Sequence, residues 1–237
     1  MAGEKIVVKN IMWDVDGVLA NLDHAYFRLL TEHPNYKDRY KDLKYEDLPQ
    51  ALPISPQIGS LELTSQPTMG KQLNEDFCHN SGDIYFDRPL YPHVEEVLAQ
   101  LHNLGYMQLT MSAGFDAEVK RKMIAQALGP KLSFVHIEVV QHKKPVGDPG
   151  HGSSMIGEKE ARILECLEKY NLRPEETVLV DDRIFNCETA LKVGMRAVRC
   201  RPGFTTDTPP HIKQSLAAEV RDIAAFRDWL LSDTAMK

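Results

Sequence analysis

An apolar run over residues 6–13 stops abruptly at Asp14-Val15-Asp16-Gly17, and that stop constrains the fold more than any other feature of the chain. A strand buried on both faces reads as a near-continuous apolar run, and in open α/β sheets its carboxyl end faces the crevice where ligands bind. Side chains two residues apart on an extended chain share a face, so Asp14 and Asp16 present their carboxylates to one small volume before Gly17 lets the chain turn. Two like charges held so close repel unless a cation or a proton offsets the cost.

Downstream, the rhythm separates into two parts. Residues 21–86 read as an inserted, mainly helical module. Leu22, Ala25, Tyr26 and Leu29 fall at helical spacing, a polar stretch follows over 36–48, and Pro49, Pro53 and Pro56 interrupt any long helix. A further helix is predicted over 67–79, with Pro67 suited to its first turn. From residue 87 onward helices and strands alternate. Helices are predicted over 92–104, 115–128, 158–170, 184–193 and 223–231, and strands over 106–111, 132–140, 177–180 and 195–198. Strands separated by helices of this length imply βαβ units, so the expected fold class is α/β, a doubly wound, Rossmann-like parallel sheet. The expected domains are a core of 1–20 plus 87–237 and a small helical cap of 21–86.

Composition narrows the function classes. With 28 Lys and Arg against 34 Asp and Glu, the net charge of −6 gives no basic surface for nucleic acid or an anionic membrane. No apolar run reaches membrane-spanning length, and no leader-like segment opens the chain. Cys78, Cys166, Cys187 and Cys200 form no Cys-x-x-Cys pair or zinc-like spacing, and read as reduced thiols of a cytoplasmic protein.

The strand ends of such a sheet lie on a common rim, and each carries a polar signature. The strand over 106–111 delivers Ser112 before Ala113-Gly114, a hydroxyl beside backbone N–H groups that suits an anionic oxygen. The strand over 132–140 is followed by His142-Lys143-Lys144-Pro145, where a lysine could bridge aspartates to a phosphate as a point charge. Val178-Leu179-Val180 ends in Asp181-Asp182-Arg183. Adjacent acids there have no packing rationale, and with Asp14 and Asp16 they make a hard oxygen cage suited to magnesium.

These four signatures in order resemble the motifs of the haloacid dehalogenase superfamily, over about residues 6–200. Asp14-Val15-Asp16-Gly17 matches its first motif, Ser112 the second, Lys144-Pro145 the third and Asp181-Asp182 the fourth, with family-like text at Arg88-Pro89-Leu90-Tyr91-Pro92 and Ala190-Leu191-Lys192-Val193-Gly194. The resemblance implies that 21–86 is a helical cap. It implies a phosphatase in which Asp14 is the nucleophile, forming an aspartyl-phosphate, and Asp16 the general acid and base. Magnesium would be held by Asp14, the Asp16 carbonyl and Asp182, with Asp181 assisting, while Ser112 and Lys144 bind the phosphoryl oxygens. Many relatives carry another acid four residues after the fourth-motif Asp, and Asn186 stands there instead.

The substrate expected is a small phosphate ester such as a sugar phosphate, phosphoglycolate or a nucleoside monophosphate. A sugar phosphomutase would need the same motifs, and a non-catalytic binding protein of this fold would be marked by loss of a motif residue. Halide displacement is disfavoured because Asp16 would be an idle charge. The glycine-containing stretch 146–157 ends in Gly157-Glu158-Lys159, lacks the ending of a phosphate-binding Walker loop, and reads as a mobile connection.

Overall fold

The computed structural model describes residues 7–52, 54, 72–73, 75–114, 116–143 and 151–232, with 151–156 described in backbone only. Five strands form one sheet in the order β2-β1-β5-β6-β7: β1 Asn10–Trp13, β2 Met107–Thr110, β5 Thr177–Asp181, β6 Arg196–Cys200 and β7 Ala218–Val220. Every neighbouring pair is parallel, with Trp13 opposite Thr110 on one side and Val180 on the other. A shorter parallel pair, β3 Ser112–Gly114 with β4 Val139–Gln141, continues the β2 side.

Alternation along the central strands assigns side chains to the two faces. Ile11, Trp13, Val178, Val180 and Val198 belong to one apolar cluster, whereas Met12, Leu109, Leu179 and Ala197 belong to another. The first cluster takes in helices α1 Leu22–Glu32, α2 Val94–Asn103, α3 Ala117–Leu128 and α6 Ile223–Leu231. The second takes in α4 His151–Lys169 and α5 Ile184–Lys192. This is the two-faced covering that an all-parallel sheet requires. Trp13 packs edge-on against Phe226 with ring centroids 5.0 Å apart. Its indole N–H donates to Gln108 Oε1 at 3.1 Å, which satisfies the one polar atom of a fully buried ring.

Strand order locates the crevice. From β1 the chain moves outward to β2 on one side and later returns to β5 on the other, so the order reverses at the carboxyl end of β1, where Asp14 begins. Side-chain caps start the flanking helices: Asn21 accepts the His24 N–H before α1, and Asp116 accepts the N–H groups of Glu118 and Val119 before α3.

Several elements differ from the sequence expectation. The strand expected over 132–140 is shorter, because Gly129 at φ +68° leads into a 3-10 turn at Pro130–Leu132, and pairing resumes only at a bridge from His136 to Leu109 and then in β4. The connection expected over 146–157 is a helix from His151, where tertiary context outweighs the poor propensity of Gly152 and Gly157; residues 146–150 lie outside the described residues. Of the helix expected over 67–79, residues 67–71 and 74 also lie outside them, and Asp76–Asn80 forms a single π turn. Strand β7 was not anticipated. The four cysteines are free thiols. Among the described residues no helix is long and apolar enough to cross a membrane.

Candidate active site

Asp14 leaves β1 with its N–H donating to the Val180 carbonyl at 2.9 Å, which sets its side chain beside the end of β5. The chain then closes a tight loop, in which Leu19 and Ala20 donate to the Val15 carbonyl and Gly17 donates to Ala20. Gly17 has φ +82°, and a Cβ there would stand 2.7 Å from Asp182 Oδ2. Both the backbone conformation and the space therefore demand glycine.

Asp14, Asp181 and Asp182 are all buried, and each offers a carboxylate oxygen within 4.8 Å of the others. Asp181 is held by the Lys159 ammonium at 2.6 Å, by Asn186 Nδ2 at 3.0 Å to both oxygens, and by the Arg183 N–H at 2.9 Å. Lys159 also reaches Asp14 Oδ1 at 3.5 Å. Among the described residues, no donor reaches the buried Asp182 Oδ1 and no partner reaches the buried Ser112 hydroxyl. Burial, and then the neighbouring Asp181 charge, push the Asp14 carboxyl up to about 7, and the same two causes raise Asp182 well above the carboxylate range.

Asp16 is treated differently. Burial alone would raise it, but Arg88 and Lys120 each take one of its oxygens and hold it below the usual carboxylate range. Arg88 is itself fixed between the rings of Phe77 and Tyr85, 5.0 and 4.6 Å from their centroids, and donates to the Tyr85 carbonyl. Burial lowers the Lys120 ammonium to about 8 despite the Asp16 charge beside it.

A cavity of about 70 Å³ lies among these groups, lined by Asp14, Asp16, Ser112, His142, Lys159 and Arg183 among others. A far larger open groove runs over residues 86–96, but none of the three converging carboxylates lines it. Of the six residues singled out from sequence, Asp14, Asp16 and Ser112 line this cavity, and Asp181 and Asp182 each bring a carboxylate oxygen within 4.8 Å of that of Asp14. Lys144, the sixth, lies outside the described residues. The lysine seen beside the carboxylates is Lys159, which the sequence reading passed over. It lies in line with Ile163 and Cys166 on the inward stripe of α4, and Lys120 likewise lies in line with Met123 and Ile124 on α3. A lysine on the apolar stripe of an amphipathic helix must find a carboxylate, and that signal was present in the letters. Asn186, which replaces an acid, contributes donors to Asp181 instead of another negative charge.

One consequence is local. Gly17→Ala is expected to lower the melting temperature by several degrees, through positive-φ strain and displacement of Asp182, and to weaken divalent-cation binding at least about tenfold. Thermal melts with and without the cation check both; an alanine variant with parent-like melting and cation affinity would show that the close approach is not needed.

A Methanocaldococcus jannaschii phosphoserine phosphatase is 26% identical over 137 residues, which are 57% of this chain and 61% of that protein's length. A candidate phosphatase from Clostridium difficile superposes with a TM-score of 0.65 at 16% identity, covering 95% of this chain and 99% of its own. A candidate beta-phosphoglucomutase from Bacteroides vulgatus does so at 0.58 and 14%, covering 99% and 92%. At these identities the superpositions show a shared fold. The profile of the haloacid dehalogenase-like hydrolases matches residues 8–194, from the strand before Asp14 through the helix after Asp182, and the chain belongs to that family.

Proposed function

We propose that this protein is a magnesium-dependent phosphatase that hydrolyses a small phosphorylated metabolite through an aspartyl-phosphate at Asp14. The observation that supports it most is that Asp14, the Ser112 hydroxyl and the Lys159 ammonium line one small cavity, while Asp181 and Asp182 each bring a carboxylate oxygen within 4.8 Å of that of Asp14. Burying three acids so close together is costly unless a cation joins them, and the Asp182 oxygen that no donor reaches among the described residues fits a metal ligand. Asp14 and Asp182 would hold magnesium, together with the Asp16 carbonyl. Asp181 would stand alongside, since its oxygens are already engaged by Lys159 and Asn186. Magnesium, when bound, supplies the positive charge that lets a carboxylate approach a phosphate dianion.

In this reading an Asp14 oxygen attacks phosphorus as the bond to the leaving alcohol breaks, and Asp16 gives that alcohol its proton. Water then attacks the aspartyl-phosphate, Asp16 takes the water's proton, and inorganic phosphate leaves. Ser112 and Lys159 bind the remaining phosphoryl oxygens, a role in which Lys144 is the residue expected from sequence. Both Asp16 oxygens are engaged by Arg88 and Lys120 in this structure, so the side chain has to turn from that pair toward the cavity to carry a proton. At about 70 Å³ the cavity has room for a phosphoryl group and little else, against the ~300–1,000 Å³ of typical ligand pockets. The leaving group therefore extends toward residues 21–86, which we read as the lid that closes over the core of 1–20 and 87–237.

The test is a panel of phosphate esters, comprising sugar phosphates, phosphoglycolate, phosphoserine and nucleoside monophosphates, assayed with magnesium and with a chelator. Release of inorganic phosphate from a subset, abolished by the chelator, is the expected result. Transfer of the phosphoryl group to another hydroxyl of a sugar phosphate would identify a phosphomutase, and no turnover of any ester would remove the reading.

A further inference from the structure

Beside the cavity stands a pair of groups that the reading above leaves idle. His142 follows β4 directly, and its N–H donates to the Gly114 carbonyl at 2.9 Å, which ties it to the strand that begins with Ser112. Its Nδ1 lies 3.2 Å from Glu158 Oε2, and the other Glu158 oxygen accepts the Lys143 N–H at 3.1 Å. Both side chains are only 9% exposed. Glu158 immediately precedes Lys159 on α4, and that helix is anchored to the outer strand by Arg162, Lys169 and Tyr170 on the buried Glu138. The imidazole thus lines the cavity that Asp14, Ser112 and Lys159 also line, and a carboxylate from a separate element holds it there.

We infer that His142 is a further phosphoryl-binding residue, with Glu158 positioning its ring. The inference rests on the phosphatase reading of the same cavity. A carboxylate on one ring nitrogen fixes which nitrogen carries its proton and how the ring is turned. With Nδ1–H given to Glu158, Nε2 is the atom that serves the cavity. In the complex the ring lies between two anions, the Glu158 carboxylate and the phosphoryl group, and donates to both. Glu158 thus positions the His142 ring from the same helix, α4, that carries Lys159.

The probe is inorganic phosphate, titrated with magnesium present into protein labelled with ¹⁵N at histidine, the His142 signals being identified by their loss in His142→Gln. Phosphate is expected to shift the His142 Nε2 resonance. His142→Ala is expected to weaken phosphate binding about tenfold, the loss of one charge-assisted hydrogen bond, and to raise KM by a similar factor while kcat falls less. Glu158→Gln should fall between parent and His142→Ala, and His142→Gln should recover part of the affinity if its amide reaches the same oxygen. Melting temperatures within about 2 °C of parent would separate this from a loss of fold. Parent that binds phosphate and turns over an ester, with His142→Ala matching its phosphate affinity and its Nε2 resonance unmoved, would overturn the inference alone. Parent that neither binds phosphate nor hydrolyses any ester would overturn the phosphatase reading and this inference together.

Discussion

Asp14→Asn is expected to lower magnesium-dependent ester hydrolysis by about 10⁴-fold or more, the scale seen when a covalent nucleophile is removed. The two side chains have nearly the same shape, and the hydrogen bond that the Asp14 carboxylate accepts from Lys159 is a long one, at 3.5 Å. The substitution therefore leaves β1 and its packing intact while removing the charged oxygen that attacks phosphorus. It also subtracts one of the two carboxylate ligands proposed for the cation, so cation affinity should fall as well. Saturating magnesium should not restore turnover, which separates loss of the nucleophile from loss of the metal. The direct check is mass spectrometry of rapidly quenched enzyme: a single phosphoryl group on the peptide containing Asp14 in the parent, and none in the variant. Hydrolysis that survives in the variant would defeat the covalent mechanism.

The arrangement of acids was legible because it is written in the backbone. Asp14, Ser112 and Asp181 sit at or just past the ends of buried strands, where a run of apolar letters stops, and a parallel sheet brings such ends to one rim whatever the intervening loops do. The cations were harder to read. Lys159, Lys120 and Arg88 reach the carboxylates from helices or loops through long side chains, so their distance in sequence says nothing of their partner. Only a place on an otherwise apolar helical stripe gives Lys159 and Lys120 away, whereas Arg88 lies in a loop. Secondary structure failed where short pieces are decided by tertiary pairing. The three residues of β7 are set by β6 alongside, and the outer strand loses its first half to the turn that Gly129 and Pro130 impose.

Without metal, the protein is expected to lose stability as pH rises from about 5 to about 8, opposite to the usual behaviour of a protein rich in paired carboxylates. In the folded chain the Asp14 carboxyl is pushed up to about 7, from the ordinary value of 3.8 that it regains on unfolding, and Asp182 is raised in the same direction. Between those values the native state binds more protons than the unfolded state, so unfolding free energy falls with rising pH across that window. Asp23, pushed up to about 6 by burial, adds to the same slope, and Asp23→Asn separates its share. Asp16 has the opposite sign, because Arg88 and Lys120 depress it, but its stabilisation is lost only below the ordinary carboxylate value and so outside the window. A shift of this size corresponds to a few kcal/mol, and hence to a fall on the order of 5–10 °C in melting temperature for a chain of this length. Magnesium binds the ionised carboxylates and should flatten the slope, by an amount that grows with its concentration relative to the dissociation constant. Asp14→Asn should melt above the parent at pH 8 in chelator, because burial and the Asp181 charge oppose the ionised form of the group that catalysis needs charged. Melts of parent and variant at pH 5, 6.5 and 8, in chelator and in magnesium, decide the matter; a parent that grows steadily more stable toward pH 8 in chelator, in step with the variant, would mean that the three carboxylates are not held as close as 4.8 Å in solution.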